Sequence, residues 1–186
     1  MVEMVSLPIV LVVTVAALYG LTMKLADLFD EHGLSWFSGD AVSFGLLWGV
    51  FGSLLVTVNP IVANALLAQM LGYVIRRRLD YWNHAVAAVL IVITFLTTGQ
   101  PFVPSAFWFF LVGLTGLGLV RDFYGDQKKP GWLYQLNEPA WYYLLVPLAY
   151  WLSTEHWVAL AVFVPYRLAY SAVKYGLYWR GSYTNL

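Results

Sequence analysis

Apolar residues fill the chain in long blocks separated by short polar stretches, and the blocks have the length of membrane-crossing helices. The first runs from about Leu7 to Phe29, enough to cross a ~30 Å hydrocarbon core at ~1.5 Å per helical residue. The second, Ala41 to Ile75, would make a helix of ~52 Å, too long for one ordinary crossing. Asn59-Pro60 falls in its middle, and proline favours the first turn of a new helix. The spacing therefore predicts two segments, Ala41–Val58 and Pro60–Ile75, the second short enough to leave a re-entrant course open. Gly45, Gly49 and Ser53 recur at four-residue spacing in the first of these, a stripe of small residues that allows close helix contact.

Further spans are expected over Tyr81–Thr98, Phe102–Val120, Ala140–Ser153 and Trp157–Tyr178. Thr98–Pro101 reads as a turn and Arg121 to Glu138 as a polar loop, with a turn at Pro130-Gly131 and a helix start at Asn137-Glu138-Pro139. The fold class expected is an all-α, polytopic integral membrane helical bundle of about seven transmembrane segments, or about six if Ala41–Ile75 crosses once.

Composition agrees. Of 186 residues, 61% are hydrophobic and 11% charged, where a soluble domain carries about 25% charged residues. Nine Trp and thirteen Tyr, many near the ends of apolar blocks, suit helices anchored at headgroup level. No polar stretch is long enough to fold alone, so 1–186 is expected to be a single transmembrane domain. The N-terminus lacks the basic region of a signal peptide, and the first block is expected to be a retained span. Formal net charge is zero, which gives no indication of nucleic-acid binding, and the absence of cysteine excludes disulfides, thiolate metal sites and a cysteine nucleophile.

Charge placement predicts an orientation. With seven spans, Arg76–Arg78, Arg121, Lys128, Lys129, Lys174 and Arg180 all fall on one side, which the excess of Lys and Arg in cytoplasmic loops makes the cytoplasm. The loops near Asn59, Thr98–Pro101 and Thr154–His156 carry no Lys or Arg.

Four constellations are candidates for chemistry. Lys24, Asp27, Asp30, Glu31 and His32 crowd the end of the first block, and Lys24, Asp27 and Glu31 share a helix face. Asp27, Asp30 and Glu31 have the oxygen donors for a hard divalent cation such as Mg²⁺, whereas the plainer alternative is a solvated helix end. Arg76-Arg77-Arg78 precedes Asp80, Asn83 and His84; guanidinium groups suit phosphate and His84 suits proton transfer, whereas plain topology explains the arginines alone. Arg121-Asp122 opens the polar loop, which by itself reads as an ordinary cytoplasmic loop. Arg167 is the deepest charge, about ten residues or ~15 Å from either end of the last span, and needs a partner or water. Asp27 is the partner its depth suggests, and Tyr170, Ser171 and Lys174 follow on its face. Asn59, Asn64 and Gln69 are further polar groups inside apolar blocks, more often helix glue than chemistry.

Nucleotide-binding Gly-rich loops, the His-Glu-x-x-His zinc motif and the Gly-x-Ser-x-Gly elbow are all missing. Three classes of function are then expected. The first is a metal-dependent enzyme or binding protein for a lipid-linked phosphate substrate at the cytoplasmic interface. In it Asp27, Asp30 and Glu31 bind the cation, Asp27, Asp30 and His84 are catalytic, and Arg76, Arg78, Arg121, Arg167 and Asn83 bind substrate. The second is a small transporter or channel with a polar path past Arg167. The third is a membrane scaffold or accessory subunit. Membrane lipids and an amphipathic small molecule are the partners expected, nucleic acid is not, and a homo-oligomer stays open.

Overall fold

In the computed structural model, residues 8–31, 34–79, 81–126 and 141–179 are described. Among them the chain is all-helical, with seven helices and no strand. They are α1 (Ile9–Glu31), α2 (Asp40–Val56), α3 (Pro60–Ile75), α4 (Trp82–Thr97), α5 (Pro104–Asp126), α6 (Tyr142–Thr154) and α7 (Val158–Trp179). By length and composition two of them, over Ile9–Asp30 and Pro104–Phe123, are long and apolar enough to cross a membrane, and α2, α3 and α4 are shorter apolar helices.

Local chemistry explains the breaks. Asn59 is extended and caps α3 by accepting a hydrogen bond from the Ile61 N–H at 2.8 Å, with Pro60 in the first turn. The second apolar block is thus two helices, as the Asn-Pro pair predicts. Between α1 and α2, the Asp40 carboxylate accepts from the backbone N–H groups of Trp36 at 2.7 Å and Ala41 at 2.8 Å. At the end of α3 the chain turns through Arg77 in the left-handed region at φ 55°, and the Arg78 N–H closes on the Tyr73 carbonyl at 2.8 Å. That is the usual helix stop with an arginine where glycine is commoner.

One boundary differs from expectation. Arg121 and Asp122 lie on α5, which runs on to Asp126, and not in the loop expected from Arg121 onward. Asp122 is tied to Arg76 and Arg78 at the end of α3. A charged final turn satisfied by another helix can stay helical.

Packing follows a simple plan. In one row α7 lies along α1, α1 along α2, and α2 along α4; α3 pairs with α5, and α6 bridges α5 and α7. The small-residue stripe of α2 meets α4: a Cβ on Gly45 would come within 2.7–2.9 Å of Asn83, one on Gly49 within 3.0 Å of Ala87 Cα, and Ser53 accepts a hydrogen bond from Thr94. At the α1–α7 crossing Gly20 rests on the Tyr166 carbonyl, where no side chain would fit. The core around these contacts includes Tyr19, Trp48, Leu55, Leu66, Phe110 and Phe163.

The helix ends sort the charges. Successive helices alternate in direction, so the ends of α1, α3, α5 and α7 and the starts of α2, α4 and α6 share one end of the bundle. Six of the seven Lys and Arg of the described residues, Lys24, Arg76–Arg78, Arg121 and Lys174, lie in that half, and Arg167 sits at the middle of α7. At the opposite end the described residues carry Glu155 and His156.

A candidate site at the basic end

At the basic end, side chains from α1, α4 and α7 meet inside the bundle. Asp27 faces inward from α1, and its Oδ1 lies 2.9 Å from His84 Nε2 of α4. Its Oδ2 accepts a hydrogen bond from the Tyr170 hydroxyl of α7 at 2.9 Å and lies 3.6 Å from Lys24 Nζ. Lys24, Asp27, His84 and Arg167 are each 5–7% exposed. Tyr170 stands between the charges: Lys24 Nζ is 5.3 Å and the Arg167 guanidinium carbon 5.0 Å from its ring centroid. Arg121 of α5 lies within electrostatic reach of the same tyrosine.

The proton count on this array is fixed by its partners. His84 Nδ1 faces the Arg78 carbonyl at 3.3 Å, an acceptor only, and Nε2 faces the Asp27 carboxyl. One proton beyond those of a neutral imidazole and a carboxylate lets both contacts be hydrogen bonds. Trp48 packs beside this pair, its ring edge-on to His84 at 5.6 Å.

A second array lies outward, where α3 and α5 end. Arg76 grips Asp122 with two bonds, Nε to Oδ2 at 2.9 Å and a terminal nitrogen to Oδ1 at 3.1 Å. Arg78 adds a third to Oδ1 at 2.7 Å. Burial of the Arg76 guanidinium works against its charge, but the bond to Asp122, the charge of that carboxylate and the neighbouring Tyr142 and Tyr143 together outweigh this and hold its pKa above the ordinary value. The guanidinium lies flat against Gly118 and reaches the Tyr142 hydroxyl at 3.4 Å. The Arg78 carbonyl at His84 joins the two arrays.

A chain of hydroxyls runs inward from here. Tyr143 and Tyr73 share a hydrogen bond of 2.9 Å, Gln69 donates to Tyr73 at 2.6 Å, and Tyr19 donates to Gln69 at 3.4 Å. Met23 sulfur accepts from Tyr166.

Measured against expectation, the structure brings Lys24, Asp27, His84, Arg167 and Tyr170 to one place, with Arg76, Arg78 and Asp122 adjoining. Arg167 and Asp27 both reach Tyr170, Arg167 at its ring and Asp27 at its hydroxyl. Asn83 is beside the array but committed to backbone, donating to the Ala26 carbonyl at 3.0 Å and accepting from the His84 N–H. Asp30 is exposed. Among the described residues no three His, Asp or Glu side chains are gathered as cation ligands, and both Asp27 oxygens are already engaged. The expected Mg²⁺ ligand Glu31 (its side chain), and His32 and Asp80, lie outside the described residues.

Sequence reasoning missed Tyr142, Tyr143, Tyr73 and Trp48. A signal was present: Gln69 and Tyr73, like Tyr166 and Tyr170, are polar-tipped pairs at four-residue spacing within apolar blocks. No protein-family model, curated protein or solved structure matches the chain.

Proposed function

We propose that the chain is a multi-pass membrane protein whose basic end, on the cytoplasmic side, is a proton-handling site for an anionic, amphipathic molecule, of which a lipid-linked phosphate is the class that fits. The observation that carries this reading is convergence. Groups separated by more than a hundred residues in sequence, Lys24, Asp27, His84, Arg167 and Tyr170, share one place inside the bundle, beside Arg76 and Arg78.

The membrane part rests on an inverted distribution of polarity. Asn64, Gln69, Asn83, His84 and Arg167 are buried, while Leu96, Val112, Leu152 and Leu168 on the outside are 62–71% exposed. A water-soluble bundle places such groups the other way round. The short helices, at ~24–26 Å, approach the ~30 Å apolar core and are extended at each end by aromatic anchors such as Trp82 and Trp36.

In such a site His84 and Asp27 exchange a proton with the bound molecule, Tyr170 and Lys24 hold the Asp27 carboxylate in place, and Arg121 and Arg167 favour negative charge nearby. The test is binding of a short-chain phosphatidic acid to the purified protein in neutral detergent. Asp27→Asn and His84→Gln are expected to weaken it at least tenfold while thermal unfolding stays cooperative. Unchanged binding in both variants overturns the reading.

The hydroxyl chain through Tyr143, Tyr73, Gln69 and Tyr19 favours a second reading, a transporter in which it is part of a path. Beyond it, however, Leu55, Leu66, Phe110 and Phe163 close the interior with apolar side chains, which supports a site open at one end. Flux of anions or protons into liposomes that is lost in Arg167→Ala would favour the path.

A further inference from the structure

The outer array lines an open groove. It has a volume of about 530 Å³ and is lined by Ile75, Arg76, Arg77, Arg78, Leu119, Asp122 and Phe123. One wall is cationic and the other apolar, with Ile75, Leu119 and Phe123 each 45–60% exposed.

The arginines in it are not equivalent. The Arg76 side chain is 4% exposed and is bound to Asp122 through two nitrogens, so its charge is already matched. Arg78 shares that carboxylate through one nitrogen only, and its side chain is 49% exposed. Arg77 stands beside it, exposed, on a left-handed backbone where glycine would be at ease. Among the described residues that line the groove, three guanidinium groups against one carboxylate leave a surplus of two positive charges. Arg76 and Asp122 thus form a fixed floor, seated on Gly118, from which Arg77 and Arg78 present their donors.

The apolar wall decides what kind of anion fits. It continues along the outer faces of α3 and α5 through Leu71, Val74 and Val112, all exposed, so a ligand held at the arginines lies against a surface suited to hydrocarbon. A soluble phosphate would leave that wall uncovered.

We infer that this groove binds the head group of an anionic phospholipid, with Arg77 and Arg78 on the phosphate and the acyl chains along α3 and α5. This rests on the membrane reading above and names the class of molecule that reaches the basic end. Since the Arg78 carbonyl touches His84, a head group on Arg78 lies one residue from the proton-handling pair.

The test is native mass spectrometry of the full chain in neutral detergent, offered equal amounts of phosphatidylglycerol and phosphatidylcholine with the same acyl chains. Wild type is expected to retain phosphatidylglycerol in preference by roughly tenfold. Arg77→Gln combined with Arg78→Gln should abolish the preference, and Phe123→Gln should weaken retention of both lipids. Arg76→Gln breaks the floor and is expected to perturb folding, so the outer pair carries the decision. Equal retention of the two lipids by wild type, an undiminished preference in the double variant, or displacement of the lipid by an equal concentration of glycerol phosphate overturns the inference. Preference lost in the double variant, alongside phosphatidic acid binding indifferent to Asp27→Asn and His84→Gln, would leave the groove standing and remove the acid–base site.

Discussion

The two ends of the bundle both bury polar side chains, but they satisfy them in different ways. At the far end Asn64 donates to the Pro60 carbonyl at 2.8 Å and the Pro101 carbonyl at 2.9 Å, and accepts from the Val103 N–H at 3.0 Å. Its whole capacity goes to backbone, and it pins the turn between α4 and α5 to the start of α3. At the basic end Asp27, His84, Lys24 and Tyr170 are satisfied mainly by one another, across three helices. Polar groups spent on backbone hold a fold in one state. Polar groups spent on each other can trade partners and protons, which is what a site for a ligand needs.

The largest consequence of that difference is expected at Asp27. Its replacement by alanine leaves Lys24 and His84 buried with their shared acceptor gone, a loss of about 3–5 kcal/mol. Exposed Glu155 at the other end, replaced in the same way, should change stability by less than about 0.5 kcal/mol. Thermal unfolding in detergent, followed by circular dichroism, measures both, and equal small effects would break the contrast. Next comes Asn64→Leu, which strands the Val103 N–H and should cost about 1–3 kcal/mol. Because Asn64 serves only the fold, phospholipid retention at the opposite end should not change. The smallest effect, and the sharpest in sign, is at Arg77. Glycine relieves the left-handed backbone, stabilising the protein by about 1 kcal/mol, while phosphatidylglycerol retention falls. Stability and binding moving together there would show that the strained arginine has no part in holding the ligand.

Much of this was legible from the residue pattern. Helix starts and stops at Asn59-Pro60 and Thr98–Pro101 follow from local chemistry, and the placement of Lys and Arg follows from the alternation of helix direction. The meeting of Lys24 and Asp27 with His84 and Arg167 was harder, since the four come from three different blocks and only packing sets the neighbours. The stripe of Gly45, Gly49 and Ser53 announced a close crossing without naming α4 as its partner, because close approach is a property of one helix and partnership of two. The carboxylates misled most. Asp27 and Asp30 are near neighbours on a helix, yet one turn separates a residue facing the bundle from one facing outward. The reach of α5 past Arg121 was also hidden, because the ion pair that supports its last turn comes from a helix about forty residues away.

Whether the two ends face opposite sides of a membrane can be measured directly, because the chain has no cysteine of its own. Single cysteines at Ser35, Arg77 and Thr154, labelled in sealed vesicles with an impermeant maleimide, report which positions share a face. Ser35 and Arg77 are predicted to react together from one side and Thr154 only from the other, which places the acidic end of α1 with the arginines and the far end opposite. Reaction of Thr154 from the same side as Arg77, or of Ser35 with Thr154 and apart from Arg77, would contradict a single polar site at one membrane face.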